Sequence, residues 1–313
     1  MKAVVINQYG DASQLREAEV SMPVPSEHQV VVRLAATSIN PIDWKLREGY
    51  LKQAMDWEFP IILGWDVAGV ITQIGTNVSG WKEGDRVFAR PATTRQGSYA
   101  EYTAVDDDLL ARIPDNLSFE EAASIPLAGL TAWQALFDYG KLEKGENVLI
   151  HAGAGGVGSL AIQFAKEKGA YVYTTASAQN LNFLKELGAD EVIDYQSQDF
   201  AQILHDVDLV FDTMGGTIQQ ESFKVLKPES GRLVSIVNEP DSQLASQYKV
   251  KAQSIWLKEN GRQLQEIAQL LAAEKVKAVV GHTFSFSAEG IRQAHILSET
   301  GHARGKIVIT FNK

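Results

Sequence analysis

The chain of 313 residues contains no cysteine. Disulfides, a cysteine nucleophile and every zinc site built on thiolate ligands are therefore excluded. Positive charge is also short: 29 Lys and Arg stand against 39 Asp and Glu, for a formal net charge of −10. No basic cluster offsets this balance, so there is no electrostatic case for a nucleic-acid or anionic-membrane partner. No apolar run is long enough to span a bilayer. The opening MKAVVINQY is too short and too soon polar for a signal peptide, so the expected compartment is the cytoplasm.

What is present is ordinary for a soluble globular protein, with 45% hydrophobic and 22% charged residues. The length allows two domains, each with a sizeable core. The first part is β-rich: HQVVVRLAA, DVAGVITQIG, DRVFAR and GSYAEYTAV are short, β-branched or aromatic, and bounded by Gly, Pro and Asn. From Ser118 the pattern turns helical over SFEEAASIPLAGLTAWQALFDYG, with Ser118 and Glu121 spaced as a capping box. Strands and helices then alternate from NVLIHAG through YVYTTAS, EVIDY, DLVFDTMGG and RLVSIVN to KAQSIWL. Such apolar runs between amphipathic helices predict a parallel, doubly wound α/β sheet covered on both faces. A helix over GRQLQEIAQLLAAEKV and a closing strand GKIVITF complete the chain.

Residues 147–159, NVLIHAGAGGVGS, carry the most specific motif. Gly153, Gly155 and Gly158 form G-x-G-x-x-G between a strand and a helix, with a second strand after it. The first glycine permits a tight turn, the second lets backbone approach a pyrophosphate, and the third lets helix pack on strand. The stretch Gly153, Ala154, Gly155, Gly156, Val157, Gly158 is therefore the expected dinucleotide cradle. After the second strand an NAD site usually carries an acid for the ribose hydroxyls. Here the turn reads Ser177, Ala178, Gln179, Asn180, so nothing repels a 2′-phosphate, and Ser177 and Asn180 can hydrogen-bond to it. NADP(H) is the expected cofactor, although the turn holds no arginine or lysine. By the rule that ligands bind beyond the carboxyl ends of parallel strands, Gly215–Gly216, Val237–Asn238 and Ser254–Trp256 are further candidates.

NPIDWKLREG (40–49), FPIILGWDVAGVITQIG (59–75), GSYAEY (97–102), AASIPLAGLTAWQAL (122–136) and HAGAGGVG (151–158) follow one another in a familiar order. The whole chain resembles the medium-chain dehydrogenase/reductase superfamily, in its zinc-free quinone oxidoreductase and enone reductase branch. The resemblance implies a Rossmann domain over residues 118–258. It also implies a GroES-like β-barrel domain over residues 1–117, completed by residues 259–313. Zinc alcohol dehydrogenases of the superfamily have a cysteine loop and a Gly-His-Glu stretch. The matching stretches here are Ser38-Ile39-Asn40 and Gly64-Trp65-Asp66, which do not offer three converging ligands.

The implied activity is hydride transfer from NADPH to a quinone or an α,β-unsaturated carbonyl without a metal. An enone-specific reductase and a non-catalytic NADPH-binding sensor are the alternatives. Lys45 stands where many quinone oxidoreductases have tyrosine and enone reductases have lysine, and its ammonium could stabilise a developing enolate oxygen. Tyr50 is a second donor, and the Asn40 amide could meet ribose or substrate. Asp43 is expected to fix its loop, and Asp66 to bond backbone. Thr131 matches a position near the nicotinamide, and Tyr195 one over the adenine or 2′-phosphate. Trp256 follows from the strand-end rule, whereas Lys306, beside Gly305, matches the closing motif near the cofactor. The last sheet strand, VKAQSIWL, would leave an apolar edge unless paired, which suggests a homodimer.

Overall fold

A computed structural model describes residues 1–311. The chain forms two compact units. The first takes in Met1–Ala128, Glu259–Glu274 and the chain from Ala278 onward, and the second Gly129–Lys258 with Lys275–Lys277. The first unit thus extends about ten residues past the expected division at 117/118. The extra segment begins with a helix that packs on strands of the first unit.

The first unit opens with strands β1 (Lys2–Ile6), β2 (Arg16–Glu19) and β3 (Gln29–Ile39), then helix α1 (Pro41–Arg47). Strands β4 (Ile61–Ile62), β5 (Val67–Ile74), β6 (Arg86–Ala89), β7 (Tyr102–Asp106) and β8 (Leu110–Arg112) follow. The eleven-residue β3 organises the unit because both its edges are used. One edge pairs with β5; the other pairs first with β7, then with a strand from the chain's end. Val30, Val32, Val67, Ile71, Val87 and Val105 project from these strands into one apolar cluster. A second cluster packs Trp65, Tyr99, Leu46 and Ile61 against strand β1.

The stretch read as helical from Ser118 forms helices α2 (Phe119–Ala123) and α3 (Pro126–Trp133), and a π-helical turn, Gln134–Tyr139, follows. Pro126 separates the two helices, since it has no N–H to continue α2 and suits the start of α3. The Ser118–Glu121 capping box forms as read, with reciprocal bonds of 3.1 and 2.9 Å.

The second unit holds β9 (Asn147–Ile150), α4 (Gly156–Lys168), β10 (Tyr171–Ala176), α5 (Leu181–Glu186), β11 (Glu191–Asp194), α6 (Phe200–Ile203) and β12 (Leu209–Asp212). It ends with α7 (Gly216–Ser222), β13 (Arg232–Ser235), α8 (Ser242–Tyr248) and β14 (Lys251–Ser254). The six strands are parallel in the order β11-β10-β9-β12-β13-β14, the doubly wound arrangement with its switch point beside β9. Val148, Leu149 and Ile150 are all buried because helices cover both faces. Gly169, at φ 88°, stops α4 in the left-handed conformation that glycine adopts without steric cost.

The remaining elements are α9 (Gly261–Ala272), β15 (Val280–Ser285), α10 (Ala288–Glu299) and β16 (Lys306–Thr310). Both β15 and β16 belong to the first unit, where β16 pairs with β3. Neither β15 nor α10 was read from the sequence. No residue of β15 is fully buried, so it lacks the apolar alternation that marks a half-buried strand. KAQSIWL also proves shorter as a strand, ending at Ser254.

Candidate active site

In the second unit the chain leaves β9 through His151–Gly155 and enters α4. The three glycines of the motif divide their work. A Cβ on Gly153 would lie 2.1 Å from Thr174 Oγ1, and one on Gly158 would lie 2.5 Å from the Ala152 carbonyl oxygen. Those two are required by the protein's own packing. A Cβ on Gly155 would meet only Ala152 O, at 3.5 Å. That open side, beside the first turn of a thirteen-residue helix whose first N–H groups have no partner within the helix, suits a phosphate. Ala154, Gly156 and Val157 complete the half-buried turn.

The other expected positions of this unit follow the carboxyl ends of successive strands. Past β10, Asn180 Nδ2 donates to Ser177 Oγ at 3.2 Å, and the turn carries no charge. Tyr195, past β11, is 51% exposed. Past β12 the buried Asp212 accepts from Met214 N, Gly215 N, Gln219 Nε2 and Ser235 Oγ at 2.7–2.9 Å. It thereby ties the ends of β12 and β13 together. Gly215 has φ 70°, and a Cβ there would strike Asn238 Oδ1 at 2.3 Å. Val237 and Trp256, past β13 and β14, are exposed. Thr131 is buried in α3.

His151 is a component the motif reading overlooked. It is fully buried, its Nε2 2.9 Å from Ser222 Oγ and its Nδ1 3.2 Å from Thr175 Oγ1. Because Ser222 Oγ donates to Ile218 O, His151 carries its proton on Nε2. Burial holds its pKa down to about 4, so it is neutral and rigidifies the turn without charge.

In the first unit, register brings a row of polar residues to adjacent strand ends. The pair Ile39↔Ile307 sets Asn40 opposite Lys306; Ala36↔Ala68 sets Ser38 opposite Asp66; Val67↔Ala89 sets Asp66 opposite Arg90. Lys306 is buried and donates from Nζ to Ile39 O at 2.9 Å and Asn40 Oδ1 at 2.5 Å. Asp66 Oδ2 lies 3.5 Å from that ammonium. The same oxygen accepts from Ser38 Oγ and Asn40 Nδ2, while Oδ1 accepts from Leu127 N at 2.7 Å. Burial lowers the Lys306 pKa, and Asp66 and Asp43 oppose the shift. Lys306 is thus placed beside Asn40 and Asp66 within the first unit.

Asn40 also caps α1, and both ends of its amide are engaged by Lys306 and Asp66. It is 2% exposed, and one N–H of its amide goes to Asp66 while its oxygen accepts from Lys306. Asp43 closes the cap, its Oδ2 accepting from Asn40 N and Tyr99 Oη at 2.8 Å. Tyr99 Oη is 3.0 Å from His295 Nε2, and His295 Nδ1 is 3.1 Å from Arg47 Nη1. Arginine can only donate, so His295 holds its proton on Nε2 and passes a hydrogen bond to Tyr99, which passes one to Asp43. Burial pushes the Asp43 carboxyl up to about 7 and holds His295 down to about 3.

Lys45 and Tyr50 come together around Trp44. Lys45 Nζ lies 5.7 Å from the Trp44 ring centroid, and Tyr50, 70% exposed, packs edge-on against that ring at 6.3 Å. Among the described residues, no carboxylate pairs with the Lys45 ammonium.

The donors a zinc ion would need are missing from this row. Trp65 is buried and gives its indole N–H to Thr94 O at 3.1 Å, Ser38 and Asn40 are spent on Asp66, and Lys306 already supplies the positive charge. Among the described residues no three His, Asp or Glu side chains cluster as ligands. The residues present do not fit zinc.

Residues 26–115 match the family model of the alcohol dehydrogenase GroES-like domain, and residues 187–309 that of the zinc-binding dehydrogenase. A 2-methylene-furan-3-one reductase from Solanum lycopersicum is 38% identical over 99% of this chain and 79% of its own length. The chain belongs to the medium-chain dehydrogenase/reductase superfamily. Within it, an NADPH-dependent alkenal/one oxidoreductase of Arabidopsis thaliana, named as chloroplastic, is 36% identical over 99% of this chain and 79% of its own. The structure of the quinone oxidoreductase from Coxiella burnetii superposes with a TM-score of 0.92 and 36% identity, covering 100% of this chain and 99% of that one. The protein is therefore an enzyme of the quinone-reductase-like medium-chain type, an oxidoreductase. Among the described residues, no helix is long and apolar enough to cross a membrane.

Asp66, Lys306, Arg90, Tyr99 and His295 make this reductase's polar row and the chain behind it. The sequence itself pointed to Asp66 within Gly64-Trp65-Asp66 and to Lys306 within the closing motif, and it held Tyr99 within GSYAEY. Nothing in the sequence around Arg90 or His295 marks them, because their meaning arises from strand register and from a contact spanning 196 positions.

Proposed function

We propose that this medium-chain reductase transfers hydride from NADPH to a quinone or an α,β-unsaturated carbonyl, with no zinc. The observation that carries the reading is Trp65 in the metal-ligand stretch, its N–H committed to Thr94 O, beside a buried ammonium. Without a Lewis acid the acceptor must itself be electrophilic, as quinones and enones are. The named activities of the relatives belong to the same two classes.

NADPH, when bound, supplies the hydride. The chain's part is to hold and to stabilise. Gly155 and the first turn of α4 would receive the pyrophosphate, and Ser177 with Asn180 the 2′-phosphate that no nearby acid repels. Tyr195, Gly215, Val237, Trp256 and Thr131 are assigned to the rest of the cofactor. As charge develops on the acceptor oxygen, the Lys45 ammonium donates to it, with Tyr50 as the second donor. Asn40 and Lys306 act by holding the start of α1, which carries Lys45. The edge of β14, which among the described residues pairs only with β13, is assigned to a two-fold dimer contact.

The test is oxidation of NADPH and NADH in the presence of a chelator, with one small quinone and one short enone. Chelator-resistant, NADPH-preferring turnover of either acceptor is expected. Turnover restored only by added zinc would overturn the metal-free mechanism.

A further inference from the structure

Among the described residues, five buried side-chain polar atoms lack a hydrogen-bond partner: Asp43 Oδ1, Trp44 Nε1, Arg90 Nε, Thr93 Oγ1 and Arg292 Nε. Orphans of this kind are rare in native proteins, and each calls for an explanation. Arg292 stands apart on α10, its two terminal nitrogens bonded to Leu15 O and Glu289. The other four belong to two short segments of the first unit, α1 and the loop after β6.

Register and contact link those segments. Arg90 stands opposite Asp66 by the Val67↔Ala89 pair, and its guanidinium is close enough for Asp66 and Asp43 to act on its charge. The Trp65 indole N–H donates to Thr94 O, which ties the loop that carries Thr93 to the residue preceding Asp66. Arg90 is 2% exposed, yet its bonds to Pro91 O and Glu259 use only Nη1. A buried guanidinium with an idle Nε and, three residues further on, an idle hydroxyl give this loop two donors that no acceptor in the protein engages.

Resting on the proposed reduction of quinones or enones, we infer that Arg90 and Thr93 form a subsite for a second oxygen of the acceptor. This is a carbonyl oxygen other than the one that takes up negative charge. The bound class is neutral. The Arg90 charge is already matched by Glu259 at 2.6 Å, and the Lys306 charge by Asp66, so a carboxylate would gain no unpaired cation. Quinones and enediones carry such an oxygen; simple enones do not. A site that hydrogen-bonds a substrate oxygen discriminates strongly against the analogue lacking it, because its donors are then left buried and unpaired.

The experiment compares an enedione, with a carbonyl at each end of its double bond, against the simple enone of the same chain length. Wild type, Thr93→Val and Arg90→Lys are each measured with both acceptors; Thr93→Val is the variant that leaves the Arg90–Glu259 pair intact. The wild-type KM is expected to be lower for the enedione. Each substitution is expected to raise that KM about tenfold while shifting the enone KM less than about twofold. The KM for NADPH stays constant. Equal losses on both acceptors, or none on either, would overturn the subsite and leave the reductase reading standing. A wild-type enzyme that reduces neither acceptor would overturn both.

Discussion

Replacing Lys306 by Met tests the polar row most directly. The methionine keeps the apolar stem and its packing but removes the ammonium. Asp66, 0% exposed, is then left as a buried carboxylate without its cation, and Ile39 O and Asn40 Oδ1 each lose a donor. Breaking a buried pair from one side costs about 3–5 kcal/mol. The bonds Asp66 keeps from Ser38, Asn40 and Leu127 place the loss near the low end of that range. Urea unfolding followed by tryptophan fluorescence reports on this unit, since Trp44, Trp57, Trp65 and Trp81 all belong to it. The midpoint for the first unit should fall accordingly. The double variant Lys306→Met with Asp66→Asn removes the stranded charge, and about 1–3 kcal/mol should return as coupling energy. A single variant within about 1 kcal/mol of wild type, or a double variant as unstable as the sum of the singles, would refute the argument.

Gly158→Ala forces a Cβ to 2.5 Å from Ala152 O and 2.7 Å from Gly153 Cα, so NADPH affinity measured by fluorescence titration should fall at least about tenfold. Ser177→Asp places a carboxylate where the 2′-phosphate is assigned; the ratio of kcat/KM for NADPH over NADH should drop by about one to two orders of magnitude. Lys45→Met should lower kcat about 10²-fold with little change in NADPH binding, as expected for a lost oxyanion donor. Asp43 gives a pH signature. Its folded carboxyl titrates near 7 and its unfolded one near 4, so wild-type stability falls as pH rises through that window. The buried His295 and His151 contribute in the opposite sense, their stabilisation being lost as pH falls through their depressed pKa values. Asp43→Asn shares the histidines, so its stability relative to wild type should rise from about pH 4 to 7, and a flat difference in denaturant midpoints would contradict the assignment.

The sequence by itself determined the doubly wound second unit, its glycine turn and the charge-free turn after β10. Those features are written in local patterns: continuous apolar strands, helices at 3.6-residue spacing, and glycines where a Cβ has no room. The missing cysteines and the Trp65 position likewise showed which metal donors were lacking without any coordinates. Register and long-range packing decided the rest. The strand Val280–Ser285 stayed illegible because it is set by its pairing with β16, and no burial pattern marks it. Lys306 reads in the sequence as a charge at a strand end. Only the ladder Ile39↔Ile307 shows it buried against Asn40 and Asp66, where its charge has a fixed partner. Hydrogen bonds between residues separated by 26 to 267 positions built that cluster, and spacing along the chain carries no signal for them.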